Sequence, residues 1–232
     1  MQKVHALILA AGKGRRMQTD THKQFLTFRG EALFLRSVRV FLSVGIPVTV
    51  VTGEEDIPEV QRILSEADLS AEQGSLPFPD VIAGGSERYL SSWNGLRYLG
   101  ETDPPEIVMI HDAARPFVSM EIIDAALESV KKFGTAVTAV PSKDTVKIAD
   151  SEGFVTDTPD RKTVYIIQTP QAFTFSEILE AYEKLLNSGQ DLSGITDDAS
   201  VMERFGKRHV HLSRGSYQNI KITTPEDLKF LD

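Results

Sequence analysis

Apolar positions along this chain fall into two alternating patterns. Short unbroken runs of β-branched and aliphatic residues are followed by longer stretches whose apolar positions recur every three or four residues. Runs of the first kind suit strands buried on both faces, and those of the second suit helices packed on a sheet. Their alternation predicts a mostly parallel sheet covered by helices. Val4–Leu9 is the first predicted strand. Residues 32–44 place Leu33, Leu35, Val38, Phe41 and Leu42 at helical spacing, 48–51 is a β-branched strand, 57–67 a helix and 81–82 a very short strand. Residues 86–99 predict a helix with Ser86 in capping position, and 107–110 a central strand, apolar throughout. Ser119 is placed to cap a helix running to Lys132, with Gly134 to stop it, before a strand over 135–140. Thr174-x-x-Glu177 has the form of a capping box, with Gly189 as the stop of its helix. Thr224-Pro225-x-Asp227 opens a last helix with Pro at its first position.

Residues 142–167 break this rhythm. The segments 144–148 and 163–167 have strand character and flank a polar stretch holding Gly153 and Pro159. They predict an extended hairpin whose edges need a partner subunit to cover them. The expected fold class is therefore α/β, a Rossmann-like, mostly parallel sheet with helices on both faces plus a protruding β-arm used in dimerisation. One domain is expected over 1–232, with 142–167 as the arm. Phe25, Phe41, Phe173 and Phe175 suit core or interface positions, and Trp93 packs on its helix.

Composition narrows the function. With 41% hydrophobic and 25% charged residues among 232, the chain is globular, which excludes a disordered tail, a collagen-like fibre and a disulfide-stapled miniprotein. Lys plus Arg number 25 against 33 Asp plus Glu, a net charge of −8, so the chain lacks the positive field of a nucleic-acid binder. The absence of cysteine excludes disulfides, thiolate metal sites and cysteine nucleophiles. No run approaches the ~20 apolar residues of a membrane span. The apolar stretch from Ala6 to Ala11 is short for a signal sequence and leads into Lys13, Arg15 and Arg16, so a soluble cytoplasmic protein is expected.

The most informative stretch is Leu9-Ala10-Ala11-Gly12-Lys13-Gly14-Arg15-Arg16-Met17, followed by Lys23-Gln24-Phe25. A glycine loop after the first strand of a doubly wound sheet lets backbone N–H groups close on phosphate oxygens. Lys13, Arg15, Arg16 and Lys23 face a single acid, Asp20, and this local reversal of charge points to a polyanionic ligand. The Walker pattern is absent, and the third glycine of a dinucleotide fingerprint is replaced by Met17.

Further blocks make the pattern specific: Gly84-Gly85-x-Glu87-Arg88-x-x-Ser91, His111-Asp112-Ala113-Ala114-Arg115-Pro116, Gln168-Thr169-Pro170-Gln171, Thr196-Asp197-Asp198-Ala199-Ser200 and Asn219-Ile220-Lys221. With the glycine loop, they resemble the sugar-phosphate nucleotidyltransferases, and within them the 2-C-methyl-D-erythritol 4-phosphate cytidylyltransferase family of non-mevalonate isoprenoid biosynthesis. The resemblance implies condensation of CTP with the polyol phosphate, releasing pyrophosphate. Such phosphoryl chemistry calls for charge stabilisation and in-line positioning, so Arg and Lys matter more than a general base.

The resemblance assigns Arg16 and Lys23 to the α-phosphate, and Arg161 and Lys221 as the other catalytic cations. It assigns Ala10, Ala11, Gly12, Gly14, Gly84, Gly85, Ser91, Asp112 and Ala113 to CTP, and Arg115, Thr145, Thr169 and Thr196 to the polyol phosphate. Lys13 and Arg15 are solvated loop charges or triphosphate contacts. Asp112 reads as a Mg²⁺ ligand, a ribose contact or a structural acceptor, with the cation held mainly by CTP phosphates. His111 fills the base of its loop. Ser86 stands where relatives often have Asp, and helix capping explains it equally well. Arm residues Thr145 and Arg161 are expected to complete a neighbouring subunit's site in a homodimer. A cytidylyltransferase for another polyol phosphate, such as ribitol 5-phosphate, is the nearest alternative. A nucleotide-binding regulator without turnover is the other, though a sensor has no use for Arg16, Lys23 and Lys221.

Overall fold

The computed structural model describes residues 2–12, 25–192 and 194–230. The main-sheet strands are β1 (Val4–Leu9), β4 (Val48–Thr52), β5 (Asp80–Ala83), β6 (Ile107–Asp112), β7 (Thr135–Pro141), β10 (Tyr165–Thr174) and β11 (Leu212–Arg214). Two small ribbons pair β2 (Thr27–Phe28) with β3 (Glu31–Ala32) and β8 (Ile148–Ala149) with β9 (Val155–Asp157). The helices are α1 (Leu33–Ser43), α2 (Ile57–Glu66), α3 (Ser70–Gln73), α4 (Arg88–Thr102), α5 (Met120–Phe133), α6 (Phe175–Asn187) and α7 (Asp198–Phe205).

The main sheet runs β11-β7-β10-β6-β1-β4-β5, and only β10 is antiparallel to its neighbours. Side chains of the central strands alternate between two cores, because successive residues of a strand point to opposite faces. Ala6, Ile8, Val48, Val50, Ile107 and Met109 face α1, α2 and α5. Leu7, Leu9, Val51, Val108, Ile110 and Phe173 face α4, α6 and α7. Trp93 stacks on Tyr182 within this second layer, its ring centroid 6.5 Å away. Phe41 and Phe173 are fully buried and Phe175 nearly so, in line with the expected core.

Several local expectations are corrected. The central strand does not stop at Ile110 but runs to Asp112, because the parallel ladder with β1 continues through Ile8↔His111 and Leu9↔Asp112. Segment 163–167 does not pair with 144–148. Tyr165, Ile166 and Ile167 instead pair with Pro141, Val140 and Ala139 of β7, extending the sheet, and the arm's own ribbon is the short β8–β9 pair. Joining an existing sheet edge gives these residues more backbone partners than an isolated hairpin does, although their side chains stay exposed. The α4 cap position belongs to Glu87, not Ser86, and no side chain bonds there. Thr174 does occupy the α6 cap position, but its hydroxyl donates to Gly134 O at 3.3 Å, while Glu177 pairs with Arg208 at 2.7 Å. The expected box is therefore not made. Ser119 likewise makes no capping bond to α5, while Gly134 ends that helix as expected, at φ 79°. The last helix starts at Pro225 but is a 3₁₀ helix.

Helix α4 lies close on the sheet at Gly95, where a Cβ would come within 2.8 Å of Leu7 Cδ1 and 3.3 Å of Val51 Cγ2. Gly95→Val is expected to cost about 1–3 kcal/mol through overpacking. Urea denaturation followed by circular dichroism checks this, and an unchanged midpoint would refute the close packing.

Candidate active site

Four parallel strands, β1, β4, β5 and β6, end at one edge of the sheet. After β1 the chain moves outward to β4 and β5, and β6 returns on the other side of β1. The carboxyl ends of β1 and β6 thus flank the switch in strand order, where α/β sheets open a crevice for ligands.

The β5 end carries Gly84 and Gly85. A Cβ on Gly84 would approach Ala11 Cβ and Ser91 Oγ to 2.8 Å, and one on Gly85 would collide with Leu90. Both positions therefore require glycine for close approach of the backbones. The buried Ser91 hydroxyl accepts from the Gly85 N–H at 3.1 Å and donates to Glu87 O at 3.2 Å, which pins the loop. Beside it, the Ala10 N–H donates to Val51 O at 2.7 Å, so the β1 ladder claims this amide ahead of any phosphate. Ala113 is buried, its N–H donating to Leu9 O at 3.0 Å. Gly14, Arg16 and Lys23, with Lys13 and Arg15, lie outside the described residues.

At the end of β6, Asp112 is buried between two cations. Lys221 Nζ donates to its Oδ2 at 2.6 Å and Arg88 Nε to its Oδ1 at 3.1 Å. Burial alone would raise the Asp112 carboxyl, but the charges of Arg88 and Lys221 outweigh it and hold the group well below the usual carboxylate range. Arg88 also donates through Nη2 to Asp198 Oδ2 at 2.8 Å, and Asp198 Oδ1 accepts from the Tyr182 hydroxyl at 2.7 Å. Burial opposes the Arg88 charge, and these two carboxylates hold it protonated. Its Nη1 is buried without a hydrogen-bond partner among the described residues.

A second, uncharged network sets the backbone of the same strand end. The Asp112 N–H donates to Thr169 Oγ1 at 3.1 Å, and Thr169 Oγ1 lies 3.0 Å from His111 Nδ1. His111 Nε2 is 3.2 Å from Arg115 O, a pure acceptor, so Nε2 carries the ring proton and Nδ1 accepts from Thr169. Arg115 Nη1 donates to Asn219 O at 2.8 Å and its Nη2 to Ile167 O at 3.2 Å, bracing the turn after β6 against the segment that carries Lys221. Asn219 Nδ2 donates in turn to Thr169 O at 2.9 Å.

Asp112, Thr169, Arg115 and Lys221 are thus brought together at one strand end, while Thr145 and Arg161 lie exposed in the 142–167 segment. Arg161 Nη1 reaches Lys143 O at 3.5 Å, and Asp160 binds the Lys162 N–H, so the neighbouring acid does not neutralise Arg161. Thr196 and Arg88 line one cleft of about 360 Å³, at the mouth of α7. Arg88, Asp198 and Tyr182 were not anticipated as site residues. Arg88 stands three residues after the glycine pair, but an acid such as Asp198 at a helix start reads as a cap, and Asp197 does fill that role with Ser200. Among the described residues no group of three or more His, Asp or Glu is placed to hold a metal. Both Asp112 oxygens are engaged by Arg88 and Lys221, so a divalent cation here would be held mainly by substrate phosphates, with Asp112 at most nearby.

The family model described as IspD, 2-C-methyl-D-erythritol 4-phosphate cytidylyltransferase, matches residues 4–231. A protein of that description from Lachnoclostridium phytofermentans is 39% identical over 233 residues, covering 100% of this chain and 96% of its own. One from Clostridium botulinum is 41% identical over 229 residues, covering 98% and 95%. The crystal structure of 4-diphosphocytidyl-2C-methyl-D-erythritol synthase from Anaerococcus prevotii superposes with a TM-score of 0.83 at 35% identity, covering 99% of this chain and 94% of its own. The 2-C-methyl-D-erythritol 4-phosphate cytidylyltransferase of Thermus thermophilus gives 0.74 at 27% identity, covering 100% and 97%.

Burial lowers His111 from its ordinary 6.5 to about 4, and lowers His5, 2.9 Å from Thr49 Oγ1, from 6.5 to about 4 as well. Both rings are neutral when folded and charge more easily when unfolded. Their contribution to stability is complete above pH 6.5 and is lost as pH falls from there towards 4. At pH 5 each is expected to cost roughly 2 kcal/mol. Urea midpoints at pH 7.5 and pH 5 test this, and equal stability at the two would show that the rings are not held neutral.

Proposed function

The chain belongs to the 2-C-methyl-D-erythritol 4-phosphate cytidylyltransferase family, and from this premise we propose how its own residues carry out the reaction. It is a nucleotidyltransferase that condenses CTP with 2-C-methyl-D-erythritol 4-phosphate, giving 4-diphosphocytidyl-2-C-methyl-D-erythritol and pyrophosphate in non-mevalonate isoprenoid biosynthesis. A phosphate oxygen of the polyol substrate forms a bond to the α-phosphorus as the bond to the β-phosphate oxygen breaks. Both reactants are anionic, so the barrier falls when cations hold them together in line and take up charge in the transition state.

The observation that carries this assignment is the Lys221–Asp112 pair at the switch-point edge, a buried carboxylate meeting a part-exposed ammonium. Asp112 holds an ammonium where the crevice opens, and Lys221 takes the attacking phosphate from there. Arg16 presents a planar fork to the α-phosphate, and Lys23 a compact point charge. The close-packed Gly84–Gly85 turn, pinned by Ser91, reads the cytosine edge, and Ala11, Gly12 and Gly14 line the triphosphate. Thr169, Arg115 and Thr196 border the polyol phosphate. A divalent cation such as Mg²⁺, carried mainly by the CTP phosphates with Asp112 nearby, supplies further neutralisation of phosphate charge.

The arm serves a homodimer. Ile148, Phe154, Val155 and Ile166 are 49, 68, 58 and 51% exposed, apolar side chains that a second subunit would shield from water. Thr145 and Arg161 on the same arm then reach the neighbour's polyol phosphate. No helix among the described residues is long and apolar enough to cross a membrane, and the reaction belongs in the cytoplasm, where CTP is available.

Pyrophosphate release with CTP and Mg²⁺ is expected with 2-C-methyl-D-erythritol 4-phosphate. Arg16→Ala is expected to lower kcat at least about a hundredfold at an unchanged melting temperature. Turnover with ribitol 5-phosphate alone would reverse the substrate assignment, and tight CTP binding without turnover would point to a regulator. In mixed dimers, Arg161→Ala and Lys23→Ala subunits, each inactive alone, are expected to regain partial activity. No rescue in verified heterodimers would mean that the arm serves its own subunit.

A further inference from the structure

Two buried ionisable groups beside the site have no part in the chemistry above. Asp198, the first residue of α7, is wholly buried, and so is Tyr182 of α6. Gln171 ties the start of α7 to β10, its Oε1 accepting from the Ala199 N–H at 2.9 Å and its Nε2 donating to Asp197 at 2.8 Å. Tyr182 is stacked on Trp93. The position of the Asp198 carboxylate is therefore fixed by two elements outside the crevice.

An arginine meets a carboxylate most strongly with two parallel N–H donors. Arg88 does not do so at Asp112. Its Nε reaches Asp112 Oδ1 at 3.1 Å, while its Nη2 is held by Asp198 at 2.8 Å. Asp112 Oδ2 is left to Lys221 at 2.6 Å. Without the Asp198 charge, Nη2 would be drawn to Asp112, making a two-pronged pair that displaces the ammonium. Among these four groups the charges cancel, two cations against two anions, so loss of either carboxylate leaves a cation in excess.

We propose that Asp198, anchored by Tyr182, is a positioning residue that divides the Arg88 fork and so keeps one oxygen of Asp112 for Lys221. This rests on the role assigned to Lys221 above. Burial, together with the Asp198 charge, also pushes the Tyr182 hydroxyl well above its ordinary range, so it stays a donor.

Asp198→Asn keeps the shape and removes the charge, and Tyr182→Phe removes only the hydroxyl. In the full-length protein without substrates, acylation of Lys221 by a limiting amine-reactive reagent is followed by peptide mass spectrometry, with Lys132 and Lys207 as internal references. In Asp198→Asn, Lys221 is expected to react several-fold faster relative to the references. Its kcat is expected to fall about 10- to 100-fold, the range of coupling between residues in one network, while KM for CTP moves less than about threefold. Arg88→Lys in that background, a point charge that cannot fork, is expected to restore part of kcat. Should Asp198→Asn not fold, Tyr182→Phe decides by the same readouts with smaller changes. A folded variant with wild-type Lys221 reactivity and kcat would overturn the proposal. Faster Lys221 labelling alongside a fully active Lys221→Ala variant would support the division of the fork and overturn the role given to Lys221.

Discussion

A buried carboxylate at the end of a parallel strand has to be compensated, and much of the crevice is arranged around that requirement. Asp112 lies where the β1–β6 ladder ends, and its charge survives burial because Arg88 and Lys221 each donate to one of its oxygens. Removing one of these cations leaves part of the buried carboxylate charge uncompensated, a cost tempered by the other cation and by solvent at Arg88 and Lys221. The compensation draws in α4, the start of α7, the antiparallel β10 and the segment at 219–221, which are remote in sequence. Electrostatic necessity at one atom pair thus does much of the work of gathering the crevice.

The two networks at this strand end divide the labour. The neutral chain through Thr169, His111 and Arg115 O holds the backbone of β6 in place without adding charge. The ionic chain from Tyr182 through Asp198 and Arg88 fixes the direction of the charges. A site for two anions in a chain of net charge −8 needs such separation, because stray carboxylates close to the phosphates would repel them. Asp112 and Asp198 each have a cation within hydrogen-bond reach before ligands arrive.

Much of this was legible in the sequence where signals are local. The span of β1, the helical face of α1 and the stop at Gly134 follow from periodicity and from one residue's freedom at positive φ. The glycine pair at 84–85 and the block around Asp112 located the crevice edge. What escaped depends on partners far along the chain. Nothing near Ile110 signals that the ladder with β1 carries on to Asp112, and nothing near Thr163 reveals that the following residues join β7. Thr174 and Glu177 fit a capping box until Gly134 O and Arg208 compete for them. Arg88 and Asp198 stand 110 residues apart, a distance no local pattern bridges.

That distance has a temporal side. Ribosomes add residues in one direction, so Arg88 is already made when Asp112 follows it 24 positions later, whereas Lys221 comes a further 109 positions on. At about 5–20 residues per second, the nascent chain holds Asp112 without its ammonium for roughly 5–20 s. In that interval Arg88 is the only one of its two cationic partners yet made, and the pairing that completes the crevice is among the last to become available during translation.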